Sequence, residues 1–88
     1  MVRGKTMDIV LYSRRGCHLC QRASDWLEAC GAVVTTIDID SDPALAREYG
    51  VRVPVVLHRG RVVAEGGFDF PDLSRGLVAA READAAGP

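Results

Sequence analysis

The chain has 88 residues, 48% hydrophobic and 26% charged, which is enough for one small domain. Eleven basic residues stand against twelve acidic ones, and this net charge of −1 excludes a strongly basic nucleic-acid surface and an acidic disordered tail. The longest apolar run, Val53 to Leu57, is far shorter than the ~18–20 residues that span a bilayer. Residues 1–6 have neither the apolar stretch nor the cleavage site of a signal peptide, so a cytoplasmic monomer with no membrane or nucleic-acid partner is expected.

In chain order, Met7 to Tyr12 is short, mostly apolar and rich in β-formers, and reads as a buried strand. Ser13 to Gly16 is a polar loop closed by a glycine. From Cys17 the pattern is helical: Leu19, Cys20, Ala23, Trp26, Leu27 and Cys30 recur at offsets of three, four and seven, and Gly31 stops the helix. Ala32 to Ile39 is a β-branched second strand. Asp42-Pro43 offers an N-cap and a first-turn proline for a short helix over 44–49, ended by Gly50. Val51 to His58, interrupted by Pro54, reads as a third strand, Arg59-Gly60 as a hairpin turn, and Arg61 to Glu65 as a fourth strand. Gly66-Gly67 breaks the chain, and Asp69 caps a last helix carrying Phe70, Leu73 and Leu77. Residues 83–88 look frayed, so the domain is expected over 7–82 with tails at 1–6 and 83–88. The order β-α-β-α-β-β-α is an α/β sandwich.

The cysteines are Cys17, Cys20 and Cys30. Cys17-His18-Leu19-Cys20 has three readings: half of a zinc site, a redox dithiol, or a chance pair. Structural zinc usually takes four ligands, and only Cys30, His18 and His58 remain to complete such a set, with His18 inside the motif itself. The placement favours the dithiol. The motif opens a helix directly after the first strand, where open α/β sheets collect their chemistry. Helix N-terminal N–H groups and the macrodipole favour thiolate over thiol. Arg14, Arg15, His18 and Arg22 add positive charge, and no acid lies between residues 9 and 24. Cys17 is therefore the expected nucleophile, ionising below the ~8.5 of free cysteine, with His18 and Arg15 as the residues that tune it. Cys20, deeper on the apolar stripe, suits the resolving thiol. Cys30 lies ~15 Å further along the helix and is expected as a small buried residue. Trp26 and Tyr49 are expected in the core, and His58 is expected to be inert.

Four features together resemble the glutaredoxin-like branch of the thioredoxin-fold proteins over about residues 7–82: Tyr12 to Cys20, the Ile37-Asp38-Ile39-Asp40 strand end, Val53-Pro54, and Gly66-Gly67-Phe68-Asp69. The resemblance implies a thioredoxin-like fold, a four-stranded mixed sheet flanked by three helices. It also implies a dithiol–disulfide oxidoreductase that reduces protein or glutathione mixed disulfides. Glutathione would be a co-substrate rather than a permanently bound cofactor, and glutathione or a reductase would be the electron donor. Pro54 would be cis, with Val53 offering backbone hydrogen bonds to a bound peptide. Gly67, Phe68 and Asp69 would hold the γ-glutamyl end of glutathione, and Arg14 one of its carboxylates. For Asp69 a plain helix cap, and for Arg14 a solvated loop charge, remain open. The His18-Leu19 dipeptide departs from the family pattern, which leaves the redox potential open, and Arg52 stands where the family usually carries Thr or Ser before Val-Pro. Two other functions stay open: an iron–sulfur or soft-metal site on the same thiolates, and a non-catalytic adaptor.

Overall fold

The computed structural model describes residues 7–86. Its elements run β1 (Asp8–Ser13), α1 (His18–Ala29), β2 (Val33–Asp38), a single 3₁₀ turn (Ile39–Ser41), α2 (Pro43–Tyr49), β3 (Val55–His58), β4 (Arg61–Glu65) and α3 (Phe70–Ala86). The four strands form one mixed sheet in the order β2-β1-β3-β4. Central β1 pairs parallel with β2, from Asp8 opposite Val33 to Ser13 opposite Asp38. It pairs antiparallel with β3, Tyr12 opposite Val55, and β3 pairs antiparallel with β4. This is the three-helix, four-strand α/β arrangement that the sequence resemblance implies.

Strand alternation sorts the side chains onto two faces. Ile9, Leu11 and Val56 join Ala23 and Leu27 of α1 and Leu73 and Leu77 of α3 in one buried cluster. Helices α1 and α3 therefore cover one face. Tyr12 points the other way and meets Tyr49 of α2, ring centroids 4.7 Å apart, so α2 covers the second face. Strand β3 is buried along its whole length, which is why it reads as an unbroken apolar run rather than an alternating one.

Local signals explain most boundaries. Helix α1 ends in a Schellman motif: Gly31 N–H donates to Glu28 O and Ala32 N–H to Leu27 O. Gly31 sits at φ 82°, a left-handed conformation that glycine adopts without strain. The Asp42 carboxylate accepts from Ala44 N and Leu45 N to cap α2. Arg59 and Gly60, both at positive φ, make the two-residue turn between β3 and β4.

Several expectations are corrected. β3 starts at Val55 rather than Val51, because Arg52 and Val53 donate their N–H groups to Tyr49 O at the end of α2 instead of to the sheet. The second strand stops at Asp38, whose carboxylate accepts the Asp40 N–H and turns the chain. Residues 83–86 are not frayed; α3 continues through them to Ala86. Cys30 is exposed rather than buried, because the Schellman turn swings the cap residue of α1 out of the apolar stripe. Trp26 and Tyr49 are half-buried. His58, expected to be inert, is buried and hydrogen-bonded at both ring nitrogens.

Candidate active site

Cys17 is the N-cap of α1, one position before the helix proper, with φ −93° and ψ 107°. Its Sγ accepts the N–H of Cys20 at 3.1 Å, so the sulfur occupies the place that a Ser or Asp oxygen takes in an ordinary cap. One orphan N–H of the first turn thus faces the sulfur, and with the helix dipole it favours negative charge there. Cys17 and Cys20 are joined by a disulfide, their Cα atoms 5.2 Å apart. The two sulfurs are unequal. Cys20 is 3% exposed and Cys17 half-buried, so an incoming group meets Cys17 first. Between them His18 and Leu19 stand in solvent, Leu19 at 45% exposure.

An open cleft of about 770 Å³ adjoins the dithiol. Leu11 and Ser13 of β1 line it. So do Arg14 to His18, Cys20, Gln21 and Ser24, together with Thr36 and Asp38 of β2. The structure therefore brings Arg14, Arg15, Cys17, His18 and Cys20 together. Arg15 and His18 are exposed at its edge.

Arg14 is partly exposed and ion-paired. Its Nε and Nη2 donate to the two carboxylate oxygens of Asp40 at 3.0 and 2.9 Å, and its Nη1 donates to Gly50 O at 3.0 Å. The guanidinium hydrogen bonds hold the Asp40 carboxyl below the usual carboxylate range, and Asp40 in turn raises the Arg14 value. The basic island around Cys17 is consequently smaller in space than along the chain, because Asp38 and Asp40 approach it from β2 and the turn after it.

The second group of candidate residues lies off this cleft. The Val53–Pro54 peptide is cis. Since Val55 pairs with Tyr12, Pro54 lies alongside the carboxyl end of β1, from which the dithiol loop departs. Gly66 N–H donates to Pro54 O at 2.9 Å, which ties the glycine pair, and hence Gly67, to the proline. Phe68 packs on Trp26 of α1 at 6.2 Å between centroids, and Phe70 does so at 5.8 Å. Asp69 caps α3: its Oδ1 accepts Asp72 N–H at 2.8 Å, and Asp72 Oδ2 accepts Asp69 N–H at 3.2 Å, a reciprocal capping box. Arg52, in the departure from the family pattern, bridges Glu65 and Glu48 and lies over the Tyr49 ring, 4.8 Å from its centroid.

Sequence reasoning missed Asp40, Gly50, Gln21, Ser24 and Thr36. Asp40 lies 26 residues from Arg14, and no periodic signal joins them. Among the described residues no three His, Cys, Asp or Glu side chains gather as a metal site. No helix of the described residues is long and apolar enough to cross a membrane.

Comparison with known proteins agrees with this geometry. The model of a family described as "Glutaredoxin-like domain (DUF836)" matches residues 8–78. No curated protein matches the chain. Among solved structures, a structural-genomics target protein, XcR50 from X. campestris, is 40% identical with a TM-score of 0.73, covering 81% of this chain and 96% of that one. A mutant thioredoxin from Halobacterium salinarum is 31% identical with a TM-score of 0.56, covering 84% and 73%. A malarial protein, 17% identical with a TM-score of 0.54 over 85% and 97%, shares the fold.

Proposed function

The chain belongs to the glutaredoxin-like domain (DUF836) family of the thioredoxin fold, and from that premise we propose that it is a dithiol–disulfide oxidoreductase acting on protein or glutathione mixed disulfides. One observation carries the reading. Cys17 and Cys20 form a disulfide at a helix N-terminus, with the outer sulfur accepting the N–H of the inner residue.

The chemistry follows from that asymmetry. In the reduced protein the Cys17 thiolate attacks one sulfur of a substrate disulfide. A bond forms between Cys17 and that sulfur, and the other substrate sulfur leaves as a thiolate and takes up a proton. Cys20 then loses its proton and attacks Cys17 Sγ. The bond from Cys17 to substrate breaks, the second substrate thiolate is protonated, and the Cys17–Cys20 disulfide remains. Two electrons pass to the substrate, whose disulfide becomes two thiols. Glutathione or a dithiol reductase returns the chain to its reduced form in a cytoplasmic setting. Attack at the outer, half-buried sulfur and resolution from the buried one use each cysteine where the fold puts it.

Cys17→Ser is expected to abolish reduction of a disulfide substrate. Cys20→Ser is expected to accumulate a mixed disulfide with Cys17, visible as a mass increase that a small thiol reverses. Equal and small losses in both variants would overturn the mechanism.

A further inference from the structure

The cleft beside the dithiol contains a guanidinium that is already paired with an internal carboxylate, and this bears on which disulfides the dithiol can take. The inference rests on the exchange reading above and adds a substrate class to it. A small thiol such as glutathione has two carboxylates and one ammonium, so its orientation at Cys17 calls for a cation next to the dithiol loop. Arg14 is the loop's innermost cation, and it lines the same cleft as both cysteines. Each of its three nitrogens already donates one hydrogen bond, two to the Asp40 carboxylate in a fork-to-fork pair and one to Gly50 O, which leaves two of the five N–H groups for any other ligand.

Asp40 is not a loose partner. It belongs to the 3₁₀ turn after β2, anchored by fully buried Ile39 and by the Asp40 N–H bond to Asp38 Oδ1. Its carboxylate is thus presented to Arg14 from a fixed backbone. Arg14 is fixed in turn, because its own carbonyl accepts the Cys17 N–H at 3.3 Å. A ligand carboxylate seeking the same fork would have to displace a preorganised internal one.

We propose that the Arg14–Asp40 pair is a specificity-determining element of this site: it withholds the guanidinium from small carboxylate-bearing thiols, and the dithiol exchanges preferentially with protein disulfides. The features that remain around Cys17 suit a polypeptide. Leu19 offers an exposed apolar side chain between the cysteines, and Arg15 and His18 have no ion pair among the described residues. Substrate binding then comes from area and backbone contact rather than from a carboxylate clamp.

The test compares second-order rates of the reduced protein with two probes: glutathione disulfide, and the disulfide dimer of an uncharged, end-blocked cysteine peptide. The wild type is expected to react with the neutral peptide disulfide at least as fast as with glutathione disulfide. Asp40→Asn removes the internal carboxylate charge while keeping shape; the Asp40 side chain is 49% exposed, so the core is untouched. The variant is expected to raise the glutathione-to-peptide rate ratio by about fivefold, through KM for glutathione disulfide rather than kcat. A general loosening of the loop would move both rates together and leave the ratio unchanged. An unchanged ratio in Asp40→Asn overturns the proposal. So does a wild type that prefers glutathione disulfide by about tenfold and loses the preference in Arg14→Gln. Failure of the wild type to react with either disulfide would instead overturn the exchange reading itself, and the specificity proposal with it.

Discussion

His58 and Asp84 form a two-sided anchor between the sheet and the last turn of α3. His58 Nε2 donates to Asp84 Oδ2 at 2.6 Å, and Nδ1 donates to Asp8 O at 3.0 Å. Both ring nitrogens face oxygen acceptors, an arrangement that favours the doubly protonated imidazolium. Its side chain is only 8% exposed. The backbone bond to Asp8 and then the Asp84 carboxylate raise the His58 pKa above its ordinary value, and the His58 bond lowers that of Asp84.

Stability should follow that pair with pH. The His58 contribution is complete below its unfolded value of ~6.5 and is lost as pH rises through the raised folded value. The Asp84 contribution is present above the ordinary ~3.9 of a carboxyl and is lost as pH falls through the lowered one. Thermal unfolding is therefore expected to show a lower Tm at about pH 9 than at about pH 6, with a smaller drop in His58→Gln. Parallel curves for the two proteins would refute the assignment.

Gly76 lets α3 approach β4 closely. A Cβ there would lie 2.5 Å from Val63 O and 2.8 Å from Val63 Cγ1. In an exposed helix Gly→Ala stabilises by ~1 kcal/mol, but an overlap with backbone costs about 1–3 kcal/mol, and the overlap should win. Gly76→Ala is expected to lower the urea midpoint with an unchanged slope. Gly67→Ala, with no atom within 4 Å of its Cβ, should change stability by less than about 0.5 kcal/mol. A neutral Gly76→Ala would show that α3 can shift outward without cost.

Asp69 offers a separation of capping from ligand binding. Asp69→Asn keeps the oxygen that accepts Asp72 N–H and removes the charge, whereas Asp69→Ala removes both. The alanine variant is expected to lose about 1 kcal/mol by chemical denaturation, and the asparagine variant a few tenths at most. If both variants keep their rate with glutathione disulfide while only the alanine variant is destabilised, capping is the role of Asp69. A rate loss shared by the asparagine variant would instead assign its charge to the substrate.

Ionisation of the reduced dithiol should begin at Cys17. The N–H of Cys20 aimed at its sulfur and the positive end of α1 both favour the anion. The ultraviolet absorbance of thiolate is expected to rise at a lower pH than the ~8.5 of free cysteine, and this early phase should be missing in Cys17→Ser. A rise that starts at or above the free-cysteine value would remove the basis for Cys17 as nucleophile.

Much of the fold was legible from short-range pattern. The apolar offsets from Leu19 to Leu27 marked α1, Asp42-Pro43 marked the start of α2, and Arg59-Gly60 marked the hairpin, because each signal acts within one or two turns of backbone. The same locality misled at the ends. Cys30 continues the helical stripe, yet the Schellman turn that closes α1 at Gly31 leaves it exposed. Val51 to Val53 look like strand, yet two of their N–H groups are taken by Tyr49 O.

The sequence by itself determined the element order and the position of Cys17 and Cys20 at a strand-to-helix turn, since periodicity, caps and glycines are properties of neighbouring residues. Only the tertiary structure decided which charges are free and which are spent. Arg14 meets Asp40 and His58 meets Asp84, each across 26 residues of chain. Hydrogen bonds and ion pairs form over about 3 Å of space, and the chain separation of their partners has no period from which the pairing could be read.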